Sequence, residues 1–317
     1  MKLNSTTLMF KTMILIGLTM SMSASNWIML WTGLEMMLMS FIPIMNSKKT
    51  TYSESMMKYF IMQSISSALL MMSMMMILTK MDSKFIMMTA MLIKLAIAPM
   101  NMWFISSLEG INTEMLMTVL ITMKITPLMI MSYMNLKLNM IIMYSMVTTT
   151  MLIINQTSMK KIIGHSSIFN LTLLLSLVSM SSMWMYYLLI YSMMTMSIIN
   201  MIKTIKIKFI NQLIMSEQSK IMKLNLWILM MSFMGMPPFL GFMNKIMVFE
   251  ALMNMKELTI LMVMIMSSMS IAFTYMRLSY TSMMMMSMKM KWETINKNKM
   301  KMLMITMINL ITLMQLI

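Results

Sequence analysis

The chain is a succession of apolar runs, each about 20 residues long, joined by loops too short to fold by themselves. In hydrocarbon every backbone N–H and C=O needs an internal partner, so a run of this length has one regular solution, the transmembrane α-helix. Barrel strands would show short alternating segments instead. Eleven runs can be placed, near 8–25, 26–45, 56–79, 85–106, 113–134, 138–155, 162–181, 183–202, 224–253, 258–280 and 301–316. The two longest connections, 203–223 and 281–300, are Lys-rich. Charged residues make up 11% of the chain, against about 25% in soluble domains. The expected fold is therefore all-α, a single polytopic transmembrane domain over residues 1–317 with about eleven spans.

The Lys and Arg residues orient those spans. Of 25 in all, 22 fall in loops or at helix ends, leaving three in the apolar interior: Lys94, Lys124 and Lys245. Lys80, Lys84, Lys137 and Lys256 lie on one face of the membrane, and the remaining 18 lie on the face that holds the N-terminus. Such asymmetry sets topology, and one missed helix would scramble it. The net charge of +16 reads as this signal plus contact with lipid headgroups, rather than as nucleic-acid binding.

Met occurs 68 times, Gly 6, Pro 5 and Cys not at all, while Lys, Asn, Ile, Ser and Thr abound. An A- and T-rich gene read with ATA as Met explains all of these biases, and points to an animal mitochondrial genome. In the mitochondrial inner membrane the Lys-rich face is the matrix, with the end of the eleventh run on the intermembrane side. A Met-rich Cu(I) surface is the competing reading, but with Met at roughly every fifth position its spacings arise by chance, and Met otherwise serves as flexible apolar filler. No cleavable leader is expected, because the first run lacks an A-x-A site and leads directly into another span. The absence of Cys excludes disulfides, iron–sulfur clusters and thiolate zinc sites.

A charge at mid-bilayer costs roughly 2.5–3.5 kcal/mol on insertion scales. Residues kept at that cost mark ion or proton paths by default. Lys94 stands in Met91-Leu-Ile-Lys94-Leu-Ala-Ile-Ala-Pro99, and Pro99 cannot donate to the Leu95 carbonyl beside it. Lys124 is followed by Pro127, which frees the Met123 carbonyl. In Gly235-Met-Pro237-Pro238-Phe-Leu-Gly241-Phe-Met-Asn-Lys245 the helix breaks outright. Broken backbone at membrane depth is tolerated only inside protein or along a water-filled cavity, so lysines and breaks argue for one hydrated interior. Glu35, in Trp31-Thr-Gly-Leu-Glu35, is the natural partner of Lys94. The bland readings are a fixed Glu35–Lys94 ion pair and, for Lys245, snorkelling to the nearer surface. His165 is the only histidine and is read as a polar helix-end residue. Glu250 is left unassigned, and Glu109 and Glu114 as solvated loop carboxylates.

The pattern of runs also suggests an inverted repeat, A over about 8–134 and B over about 138–280, followed by a C-terminal helix at about 301–316. The fourth and ninth runs each carry a lysine and a proline. Interrupted spans in matching positions of two halves point to a transport site.

Together these segments resemble the subunit 2 family of mitochondrial respiratory complex I, the NADH:ubiquinone oxidoreductase, in its arthropod-like form. The resemblance is carried by Trp31-x-Gly33-Leu34-Glu35 with Pro43, by Lys58-Tyr59-Phe60-x-x-Gln63, and by Lys94 with Ala98-Pro99 and Trp103. Lys124 with Pro127, Lys161 with Ser166-Ser167-Ile168, and Gly235-x-Pro237-Pro238-x-x-Gly241-Phe242 with Lys245 complete it. Departures are Ala96 where the family usually has Gly, Asn101 for His, His165 for Tyr, and Asn170-Leu-Thr-Leu for a His-x-Gly-Trp-like run. The resemblance implies an antiporter-like fold and a proton-translocating inner-membrane subunit of an enzyme complex. It implies Glu35, Lys94, Lys124 and Lys245 as the hydrophilic axis. The chain itself is expected to bind no cofactor, with NADH, FMN, Fe–S clusters and ubiquinone elsewhere in the complex. Expected partners are the other membrane-arm subunits and inner-membrane lipids including cardiolipin, with no nucleic acid.

Two other classes compete. A stand-alone cation/proton antiporter shares the mechanism, but a mitochondrial code implies a short list of respiratory and ATP synthase subunits. Others on that list need several histidines for haem or copper, or a mid-membrane arginine, and Arg277 lies near a helix end. A purely structural scaffold would leave three mid-span lysines without a role.

Overall fold

A computed structural model describes residues 5–45, 50–134, 138–179, 183–215 and 220–283. The run at 301–316 lies outside the described residues. Every regular element among them is helical, and the chain divides into two compact units, Met1–Lys137 and Leu138–Ile317.

The first unit holds α1 (Ser5–Met22), α2 (Trp27–Met45), α3 (Thr50–Leu78), α4 (Lys84–Leu95), α5 (Met102–Glu109), α6 (Thr113–Met117) and α7 (Met123–Met134). A π-helical turn, Thr118–Thr122, joins the last two. The second unit holds α8 (Asn139–Ile154), α9 (Met159–Val178), α10 (Met183–Ile205), α11 (Asn211–Met215), α12 (Lys220–Met234), α13 (Leu240–Asn254) and α14 (Leu258–Met283). Among the described residues seven helical stretches are long and apolar enough to cross a membrane. The runs expected at 85–106 and 224–253 are not among them because each is interrupted, at 96–101 and at 235–239.

Apolar helices carry many Ser and Thr residues here, and the structure shows how they are tolerated. Ser66, Ser73, Ser107 and Ser145 are fully buried, and each donates its hydroxyl to the carbonyl three residues back. These four hydroxyl hydrogens are therefore not left facing hydrocarbon. In the first unit α1 and α2 meet at glycines. A Cβ on Gly33 would stand 2.8 Å from the Gly17 carbonyl oxygen and 2.9 Å from Ser21 Cβ, so only glycine permits this approach. In the second unit α9 is the central helix, packed against α8, α10 and α13.

Helix ends share one device. Lys80, Ala96, Gly235 and Lys256 have positive φ, and each follows a helix whose last carbonyls are closed by paired 6→1 and 5→2 bonds. At Ala96 these are Ile97 N–H to Leu92 O (3.1 Å) and Ala96 N–H to Ile93 O (3.0 Å). At Gly235 they are Met236 N–H to Met231 O (3.4 Å) and Gly235 N–H to Ser232 O (3.1 Å). The helix of the fourth run therefore ends at Leu95, four residues before Pro99, the residue expected to break it.

Candidate functional site

The first unit gathers three of the four expected charges. Lys94 is buried in the last turn of α4, one residue before the stop. The charge of Glu35, half-buried on α2, acts on it. Glu35 Oε1 is buried without a hydrogen-bond partner among the described residues. Lys124 is buried on α7 and lies 5.1 Å from the centroid of the Phe104 ring. That contact ties α7 to α5, the helix that resumes after the break. An aromatic row continues from it: Phe104 to Trp103 (5.8 Å), Trp103 to Tyr59 on α3 (5.9 Å), and Tyr59 to Phe41 on α2 (5.2 Å).

The backbone around Lys124 is doubly loosened. The π turn ends at Met123, whose N–H reaches back to Thr118 O, while Thr122 Oγ1 donates to the same oxygen at 2.7 Å. Pro127 then withholds the donor that the Met123 carbonyl would use. Such single π turns recur at functional sites. Sequence reasoning missed it, and the only local signal is the Thr118/Thr122 pair one turn apart. Trp31 Nε1, Asn101 Nδ2, Trp103 Nε1 and Thr126 Oγ1 are also buried without partners among the described residues. Native interiors leave few such groups. Their concentration on α2, the α4–α5 break and α7 marks a polar interior of the kind water occupies.

The second unit positions Lys245 differently. It lies on α13, and its Nζ reaches back to donate to Met234 O, at the end of α12, at 2.6 Å. Gly235 has φ +74°, and a Cβ there would meet Lys245 Cε at 2.8 Å, so this glycine both turns the chain and leaves room for the lysine stem. Pro237 and Pro238 occupy the interruption itself. A cation at the C-terminal carbonyls of a helix is favourable, and this specific seat replaces the snorkelling alternative.

The second unit places several further polar groups, among them His165, read above as a helix-end residue. His165 is buried, with Nδ1 unpaired among the described residues, because it faces inward on the central helix instead of fraying at its end. Tyr187 donates to Asn170 Oδ1 at 2.8 Å. The Tyr191 and Tyr275 hydroxyls are buried without a hydrogen-bond partner among the described residues. Asn225 and Asn244 are buried with unpaired amide atoms among the described residues. Lys223, expected in a loop, is buried near the start of α12, a third buried lysine beside Lys94 and Lys124 among the described residues. Glu250 and Glu109 are exposed. Of these, only the Tyr187/Tyr191 spacing on α10 carries a sequence signal.

Comparison with known proteins gives concordant results. The family described as NADH:quinone oxidoreductase/Mrp antiporter, TM, matches residues 24–85 and 79–274. NADH-ubiquinone oxidoreductase chain 2 of Locusta migratoria is 36% identical over 279 residues, covering 82% of this chain and 81% of the relative. The chain of the same name from Anopheles gambiae is 33% identical over 270 residues, covering 80% and 79%. Among solved structures, a chain of respiratory complex I from Thermus thermophilus shares the fold with a TM-score of 0.86, at 14% identity, over 97% of this chain and 77% of that one.

Proposed function

The chain belongs to the NADH:quinone oxidoreductase/Mrp antiporter membrane family and within it to the chain 2 subunits of NADH-ubiquinone oxidoreductase, and from that premise we propose that Glu35, Lys94, Lys124 and Lys245 are its proton relay. As a membrane-arm subunit of complex I it contributes to proton translocation across the mitochondrial inner membrane, coupled to electron transfer from NADH to ubiquinone.

Gain or loss of a proton at one lysine changes the potential at the next, so charge passes along the series without large backbone movement. Pro99, Pro127, Pro237 and Pro238 keep the helices interrupted or underbonded beside the lysines. The observation that carries this reading is the seat of Lys245 on the Met234 carbonyl. A titratable amine there faces the open end of a broken helix, where its charge state matters most.

The finer features are supported in turn. Two inverted repeats, about 8–134 and 138–280, are favoured by the division of the chain between Lys137 and Leu138 and by one interrupted helix in each unit. A matrix N-terminus rests on the Lys and Arg asymmetry, and an intermembrane end of the eleventh run rests on the helix count. The chain itself carries no redox group: NADH, FMN, Fe–S clusters and ubiquinone act elsewhere in the complex, in keeping with a sequence that has no cysteine for a cluster. Its partners are the neighbouring membrane-arm subunits and anionic inner-membrane lipid, cardiolipin included. A stand-alone antiporter would use the same residues, but no observation favours it.

The decisive experiment is Lys245→Ala in an assembled complex, with proton uptake measured per electron transferred. The expected result is intact NADH oxidation at low driving force with a lowered proton ratio. A wild-type ratio would remove Lys245 from the relay.

A further inference from the structure

Outside the relay, one surface feature of the second unit combines an apolar trough with a cation at its end. A groove of about 400 Å³ runs between α8 and α14. Met151, Met262 and Met266 line it and are 66%, 66% and 75% exposed, so it opens outward; Ser270 and Ile154 line it nearer one end. Unbranched thioether side chains adapt to flexible apolar partners.

Ile154 is the last residue of α8, and its carbonyl accepts a hydrogen bond from Arg277 Nη1 at 3.0 Å. Arg277 Nη2 donates to Gln156 O at 3.1 Å, and Nε is buried without a partner among the described residues. Arg277 follows Ser270 by seven residues, two turns of α14, so its side chain leaves the same face about 10 Å further along. From Met262 to Arg277 is fifteen residues, about 22 Å of helix. That is about one leaflet from headgroup level to midplane.

The charges around Arg277 have one sign. The 206–210 turn is held against residues 157–159, next in the chain after Gln156, by Met159 N–H to Lys208 O (2.9 Å) and Ile210 N–H to Thr157 O (3.1 Å), and Lys206 and Lys208 are exposed there. The described carboxylates of this unit, Glu250 and Glu257, sit at the other end of α13 and just before α14. Arg277 thus has cations nearby, no nearby carboxylate among the described residues of its unit, and an apolar trough of leaflet length at its side.

We propose that this is a binding site for an anionic phospholipid, its acyl chain in the α8–α14 groove and its phosphate at Arg277, Lys206 and Lys208. Guanidinium suits a phosphodiester because it offers several N–H donors in one plane. The site rests on the reading that the chain holds anionic lipid, and gives that reading an address.

The test uses the whole complex, reconstituted with a diazirine-acyl cardiolipin or, separately, a diazirine-acyl phosphatidylcholine, with the labelled peptides mapped by mass spectrometry. Cardiolipin should label the peptides holding Met262 and Met266, and excess phosphatidylcholine should not compete it away. Lys206→Gln and Lys208→Gln should each lower that labelling by about five-fold, the effect of one interfacial cation, and Ser270→Phe should lower it by filling the groove. They spare Arg277, whose loss would also uncap α8. Equal labelling by both lipids, unchanged in the variants, would reduce the groove to bulk lipid contact and overturn the proposal. So would protection of the groove by a neighbouring subunit. If the complex retains no anionic lipid anywhere, the broader reading fails; if it retains lipid but labels other peptides, only this site does.

Discussion

Gly235→Ala tests the lysine seat most directly. At φ +74° an alanine costs about 1–2 kcal/mol. Its Cβ would also stand 2.8 Å from Lys245 Cε and 3.0 Å from Cδ, so the lysine stem must swing aside. Swinging breaks the 2.6 Å bond to Met234 O. A hydrogen bond to a charged group is worth about 1.5–3 kcal/mol, which brings the total to about 2.5–5 kcal/mol. The assay is thermal inactivation of NADH:ubiquinone activity in the assembled complex, with proton uptake per electron measured beside it. Gly235→Asn separates the two causes, because Asn tolerates positive φ but also carries a Cβ. The expected pattern is that Asn recovers part of the stability and none of the proton ratio. In the double-mutant cycle with Lys245→Met, the coupling should be of the order of the lost bond. A Gly235→Ala complex as stable and as well coupled as wild type, or a cycle with no coupling, would refute the reasoning.

Ala96→Gly should raise the inactivation temperature, since a non-glycine residue at φ 57° gives up about 1 kcal/mol relative to glycine; an unchanged or lower temperature would count against the helix stop. Gly33→Val should prevent α1 and α2 from closing at Gly17, seen as loss of the assembled complex on a native gel stained for NADH oxidation. Tyr187→Phe removes the donor to the half-buried Asn170 Oδ1, and should cost about 1 kcal/mol in thermal inactivation. Asn170→Leu in the same background should recover part of it.

The spans were legible because hydrocarbon leaves a long apolar run only one way to satisfy its backbone. Glu35, Lys94, Lys124 and Lys245 were legible as candidates because charge in such runs is costly. The Gly235-x-Pro237-Pro238 run likewise carries its interruption in its own chemistry. The stop after Leu95 does not. Its left-handed residue is Ala96, which has no preference for that conformation, so its position depends on packing that local sequence does not record. The π turn before Lys124 hides for the same reason. The Asn170–Tyr187 bond and the Phe104 face beneath Lys124 join residues on different helices, and their partners exist only once the helices have packed.

The two interrupted helices place their lysines differently. In the first unit the lysine precedes the stop and belongs to the last turn of the helix that ends. In the second it follows the stop, and Lys245 reaches back from α13 to the end of α12. The sequence spacing differs, and it is the second arrangement that sets the amine on a helix C-terminal carbonyl, where the macrodipole is negative. A neutral amine can still donate to Met234 O, but only the ammonium offsets the helix-end dipole. The protonation state of the lysine therefore sets the local potential at the break, and a proton moving on or off it is felt by the interrupted helix without any contact being lost.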